Sequence, residues 1–213
     1  IPVDLLKKDG ENVVAVRVYD SYLEGGIIEG PTGIYYDGDN ELLNLNLSGK
    51  WKFHTGNNKD WKLPEFNDED WTLINVPDYW ENEGYKDYNG YAWYRVEFKL
   101  PENLSNEDLY LALGKIDDVD DVYLNGEFVG NVYDLKRIFD YNWNGWQCTV
   151  RRIYKIKDGL LKQNGMNTLA IRVRDDQGLG GIYEGPIGIM SEENYREYRD
   201  EYHSGQSFWD YLY

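Results

Sequence analysis

A chain of 213 residues with a formal net charge of −17 argues against nucleic acid and anionic membrane surfaces as partners, because both are held by Lys and Arg. At 41% hydrophobic, with eight Trp and twenty Tyr, it buries a real core and is not globally disordered. Cys148 is the one cysteine, which excludes an intrachain disulfide and a cysteine-based metal cluster, and no apolar run reaches the roughly 18 residues of a membrane-inserting span.

The chain opens on what reads as the end of a domain. ENVVAVRVYDSYLEGGIIEGPTGIY, residues 11–35, is a β-rich run followed by a Gly/Pro-studded turn and one more short strand. The pattern returns in MNTLAIRVRDDQGLGGIYEGPIGIM, residues 166–190, at a gapless offset of 155. Eighteen identities fall within the thirty-four positions from Ile1 to Ile34, among them Arg17/Arg172, Asp20/Asp175 and Pro31/Pro186. Residues 1–35 are therefore expected to be the closing strands of a preceding, incomplete repeat, residues 36–47 a linker, and residues 48–190 a complete copy. Two or three strands alone cannot bury both faces. They must pack on the complete domain, on neighbouring polypeptide, or on another chain by strand exchange.

The complete copy reads as about eight short strands separated by turn chemistry, an all-β antiparallel sandwich rather than a parallel α/β sheet. Residues 50–55 put Trp51 and Phe53 on one face, and residues 71–77 end on a proline. Residues 91–101 alternate most clearly, with Ala92, Tyr94, Val96, Phe98 and Leu100 opposite Trp93, Arg95, Glu97 and Lys99. Residues 109–115 follow, then a tight hairpin over 121–131 turning at Asn125-Gly126. Residues 132–147 read as a long loop, and 149–156, 167–174 and 181–190 complete the strands. Residues 191–213 form a helical, aromatic tail: Ser191 can cap a helix, and Tyr195, Tyr198 and Tyr202 share one face.

Taken together, the runs WKFHTGNNKDWKLPEFNDEDWTLINVPDYW, LGKIDDVDDVYLNGEFVG and NTLAIRVRDDQGLGGIYEGPIGI resemble the sugar-binding jelly-roll domain of glycoside hydrolase family 2 enzymes such as β-galactosidases. They are equally similar to the version carried by sialate O-acetylesterases. The resemblance implies a galactose-binding-like jelly-roll β-sandwich from a larger bacterial protein, a glycosidase or carbohydrate esterase, that is extracellular, periplasmic or at the cell surface. It implies no catalysis in this domain, because in those enzymes the chemistry sits elsewhere. A glycan such as a galactoside and neighbouring domains of the same polypeptide are the implied partners.

The residues themselves carry little that could catalyse. KIDDVDD offers Asp117, Asp118, Asp120 and Asp121, and a glycosidase needs two carboxyls about 5 to 9 Å apart across a sugar. Adjacent strand residues point to opposite faces, so Asp117 and Asp118 are not expected to share one substrate. These aspartates leave open hydrogen bonds to sugar hydroxyls, a structural Ca²⁺, or a plain network with Arg151, Arg152 or Arg172. No other cofactor is expected. His54 and His203 are the only histidines, and neither a Gly-x-Ser-x-Gly elbow nor a zinc spacing is present. The repeated GGI-x-EGP-x-GI motif reads as backbone geometry, or as a loop that lets a ligand approach closely. A lectin-like site needs aromatic faces beside groups that bind hydroxyls. Tyr85, Tyr88, Trp143 and Trp146 are the candidate platforms, with Asp118, Arg151 and Asp175 as polar partners. A module of this kind binds sugar without catalysis, or serves as a structural spacer or protein-interaction unit of a tandem surface array.

Overall fold

A computed structural model of the protein describes residues 11–18, 41–104, 107–139 and 147–205, and the side chains of 136–139 and 201–205 lie outside it. The chain divides into two units, Ile1–Tyr36 and Asp37–Tyr213. In the first, residues 11–18 form neither helix nor strand. Val13, Val14, Val16 and Val18 are exposed by 52% to 85%, whereas their repeat counterparts Thr168, Leu169, Ile171 and Val173 are exposed by no more than 2%. The rest of the opening repeat lies outside the described residues.

The second unit runs β1 (Leu45–Asn46), β2 (Gly49–Thr55), β3 (Thr72–Val76), β4 (Gly90–Lys99), β5 (Leu109–Ile116), β6 (Val119–Leu124), β7 (Glu127–Asn131), α1 (Val132–Phe139), β8 (Arg151–Lys155), β9 (Met166–Asp175), β10 (Ile182–Ser191) and α2 (Glu192–Gly205). One sheet has the order β1-β10-β5-β8 and the other β3-β2-β4-β9-β6-β7. Every pairing is antiparallel, which makes the expected jelly-roll sandwich. Its core joins Trp51, Phe53 and Tyr94 of one sheet to Leu111, Leu113 and Ile187 of the other. No helix among the described residues is long and apolar enough to cross a membrane.

Local chemistry explains the turns. Asn125 and Gly126 both take positive φ, +53° and +85°, as a two-residue hairpin between β6 and β7 requires. Asn131 accepts the Tyr133 and Asp134 amides through its side chain, while Asp134 accepts the Asn131 amide in return. That reciprocal cap starts α1 inside the stretch expected to be a loop, and Val132 and Leu135 bury its inner face. Leu45 and Asn46, expected to be linker, pair with Ile189 and Gly188 as an edge strand. Ser191 caps α2, Tyr195 stacks on Tyr110 at 4.0 Å, and Tyr198 packs with Ala112 and Met190. The side chains of Tyr202 and His203, and the whole of residues 206–213, lie outside the described residues.

The larger sheet is covered in part on its second face as well. Around Trp93 and Arg95 the second face of β4 does not meet solvent, because the segment between β2 and β3 folds over it and brings Trp61, Phe66 and Trp71 against Trp93, whereas Glu97 and Lys99 further along the strand are exposed. Arg95, 2% exposed, is buried in this layer and pairs with Asp68 at 2.6 Å. It also donates to the carbonyls of Trp61 and Leu63. Removing one partner of such a pair strands the other charge, whereas removing both leaves none behind. Asp68→Ala should cost about 3 kcal/mol in urea unfolding, and Asp68→Ala with Arg95→Met should recover much of that loss. A double variant no more stable than the single one would show that the pair does not hold this cover.

Candidate functional site

Four connections meet at one end of the sandwich: those between β3 and β4, β5 and β6, β9 and β10, and the 3₁₀ turn Gln147–Thr149 leading into β8. The repeated glycine motif makes part of this end. A Cβ on Gly180 would stand 2.1 Å from the Trp80 ring, so the close approach this glycine permits is made by a tryptophan of the same chain. Glu81 accepts the Gly180 amide, and the Trp80 amide donates to the Gly180 carbonyl at 3.0 Å.

The β5–β6 turn carries Asp117 and Asp118. The Asp117 amide donates to the Gly181 carbonyl at 2.9 Å, and Asp118 turns the chain at φ +55°. Asp118 accepts the Asp176 amide at 2.8 Å, and Asp175 accepts the Gln177 amide at 3.0 Å. Carboxylate oxygens of Asp117, Asp118 and Asp175 then lie within 4.8 Å of one another. The expectation that Asp117 and Asp118 face apart fails here because strict alternation belongs to extended backbone and these residues form a turn. Burial first, and Asp118 next, push the Asp117 carboxyl up to about 6. Burial also raises Asp175, with Asp118 adding to the shift.

The arginines divide the remaining acids. Arg152, fully buried, pairs with Asp120 at 3.0 Å and donates to the carbonyls of Asp118 and Gln147. Arg172 pairs with Asp121. Arg151 pairs with Glu184 at 2.8 Å and donates to the Gly185 carbonyl, while Lys115 reaches the other oxygen of Glu184. Among the described residues no arginine forms an ion pair with the carboxylates of Asp117 or Asp118, although Arg152 holds the Asp118 carbonyl, whereas Asp120 and Asp121 are paired as expected.

Of the expected sugar platforms, Tyr85 is half-buried edge-on to Phe53 and Tyr88 edge-on to Trp80, with the Tyr88 hydroxyl donating to the Tyr91 carbonyl. Trp143 and Trp146 lie outside the described residues. Asp118 and Arg151 are half-buried at the end of the sandwich, and Asp175, 1% exposed, faces the space between the sheets. A pair that sequence reasoning did not single out stands beside them. Tyr79 and Tyr183 stack in parallel at 4.8 Å, near Asp117 and Glu184, whose charges add to burial in raising both phenols. Tyr183 lies within the GGI-x-EGP motif where the first copy has Ile28, and that contrast between copies was the available signal. A separate concavity of about 310 Å³ between Leu104, Asp108, Leu109, Ile156 and Leu161 has no aromatic lining.

The family described as the β-galactosidase second all-beta domain matches residues 56–178, more than half of the chain. Among solved structures, a Bacteroides uniformis β-glucuronidase is similar at TM-score 0.53 and 24% identity, over 65% of this chain and 16% of that one. Bacteroides uniformis β-glucuronidase 2, covalently bound to cyclophellitol-6-carboxylate aziridine, is similar at 0.53 and 25%, over 65% and 17%. A glycosyl hydrolase family 2 member from Bacteroides cellulosilyticus is similar at 0.52 and 19%, over 65% and 19%, a likeness of fold alone. No match was found among curated proteins. This chain thus spans less than a fifth of each of these enzymes, and it belongs to the family of the β-galactosidase second all-beta domain.

Proposed function

We propose that the protein is a non-catalytic carbohydrate-binding module of a larger, exported glycan-processing protein. The observation that carries this reading is the stacked Tyr79–Tyr183 pair beside Asp117 and the Arg151–Glu184–Lys115 cluster. An aromatic face suits the C–H side of a sugar, and charged groups at its edge suit the hydroxyls. The opposite concavity has the polar groups but no ring to stack on. Membership of the β-galactosidase second all-beta domain family supports the same reading; the parent in this proposal is an exported glycosidase or carbohydrate esterase that acts on a galactoside or related glycan. Calorimetric titration with galactosides should give a dissociation constant on the order of 0.1–1 mM, since a shallow polar site gains little after desolvation. Tyr183→Ala should weaken it at least tenfold while the melt stays cooperative. Affinity kept in that variant and lost in Trp143→Ala with Trp146→Ala would move the site to the loop after α1. No heat with any galactoside, sialoside or plant polysaccharide would sink the reading.

A second reading, a module stacked in a tandem surface array, rests on a different observation. Val13, Val14, Val16 and Val18 are exposed where the repeat buries their counterparts, so these residues suit the core of a preceding copy of the same sandwich. By hydrogen exchange, amides of residues 11–18 should exchange orders of magnitude faster than those of 166–173 in this chain. Equal protection of the two segments would refute that assignment.

A further inference from the structure

We propose that the Asp117–Asp118 turn and Asp175 form a Ca²⁺ site that ties the β5–β6 turn to the end of β9. Acidic clusters on protein surfaces are common, and the distinguishing feature here is Asp175. Its side chain is buried, yet its Oδ2 has no hydrogen-bond partner. Its Oδ1 is already engaged by the Gln177 amide, which leaves Oδ2 as the oxygen to offer. A buried carboxylate oxygen without a donor is costly, and a cation among its neighbours removes that cost.

Among the described residues no cation forms an ion pair with Asp175 Oδ2. Arg152 is taken by Asp120 and Arg174 by Asp176, and no ion pair reaches Asp117, Asp118 or Asp175 among the described residues. The spacing also suits Ca²⁺. Calcium–oxygen distances of about 2.3–2.6 Å allow two ligands on one ion to stand up to about 5 Å apart, and the three carboxylates fall within 4.8 Å of one another. Magnesium, at about 2.0–2.1 Å in a strict octahedron, demands a tighter and more regular set. Asp117 and Asp118 each give one oxygen to a backbone amide, so each keeps the other for a metal. The partial first copy also has aspartate at the position of Asp175, namely Asp20.

The site's readout needs no sugar, so it stands or falls apart from the glycan-binding reading. The full chain, stripped with EDTA and dialysed, should take up one Ca²⁺ in calorimetric titration with a dissociation constant on the order of 0.1 mM. At 10 mM CaCl₂ its melting temperature should rise by about 5 °C or more, with little change in MgCl₂ at equal ionic strength. Asp175→Asn should abolish both the heat and the shift. Asp118→Asn, at a half-exposed position, should weaken calcium binding at least tenfold and carries the test if Asp175→Asn does not fold. No calcium heat in the wild-type chain, or an Asp118→Asn chain that binds as well as wild type, overturns the proposal. So does a rise of equal size in MgCl₂, which would mean general screening of a strongly acidic chain.

Discussion

The buried ion pair of Arg152 is the interaction on which the end of the sandwich that carries Asp117 and Asp118 depends. Arg152 stands on β8 in the four-stranded sheet and pairs with Asp120 on β6 in the six-stranded one, so a single ion pair crosses the core. Tyr154, two residues along β8, gives its hydroxyl to the other Asp120 oxygen, and burial with Asp120 nearby drives that phenol well up from its usual range. The remaining guanidinium nitrogens hold the Asp118, Gln147 and Val150 carbonyls. With both charges fully buried, desolvation is severe, and only this complete set of partners makes the arrangement tolerable. The clamp sets the distance between the sheets and presents the Asp117–Asp118 turn.

The same economy governs the larger sheet. One face packs across the sandwich, and part of the other, around Trp93 and Arg95, is covered by an aromatic layer in which Trp61 meets Trp71 edge-on at 5.1 Å and Trp93 at 6.4 Å. Edge-to-face contacts of this kind add specificity to area burial. They also account for much of the Trp in the composition without reference to sugar.

The acidic end and the repeat lead to one architectural picture. The closing segment of the complete copy supplies the strand β9, the glycine motif that receives Trp80 and the aspartate of the proposed calcium site. Among the described residues of the first unit, Val13, Val14, Val16 and Val18 are exposed where their sequence counterparts in β9 are buried.

Periodicity alone determined the strands, because alternation over β4 and β9 records which side of a pleat meets apolar neighbours. The repeat led to the expectation of a second closing segment over residues 1–35, and the Asn125-Gly126 pair determined a hairpin, since few residues accept positive φ in succession. Tertiary structure decided the rest. The sequence marks Arg95 and Trp93 as one face of β4, but only a distant segment folding over them makes that face an interior. Asp117 and Asp118 read as neighbours on opposite sides until a turn bends their carboxylates toward Asp175, a residue nearly sixty positions away. Tyr79 and Tyr183, a hundred residues apart, become a stacked pair only when the two sheets close. Local pattern reports the backbone's own preferences, whereas sites are made by side chains whose proximity depends on the whole chain.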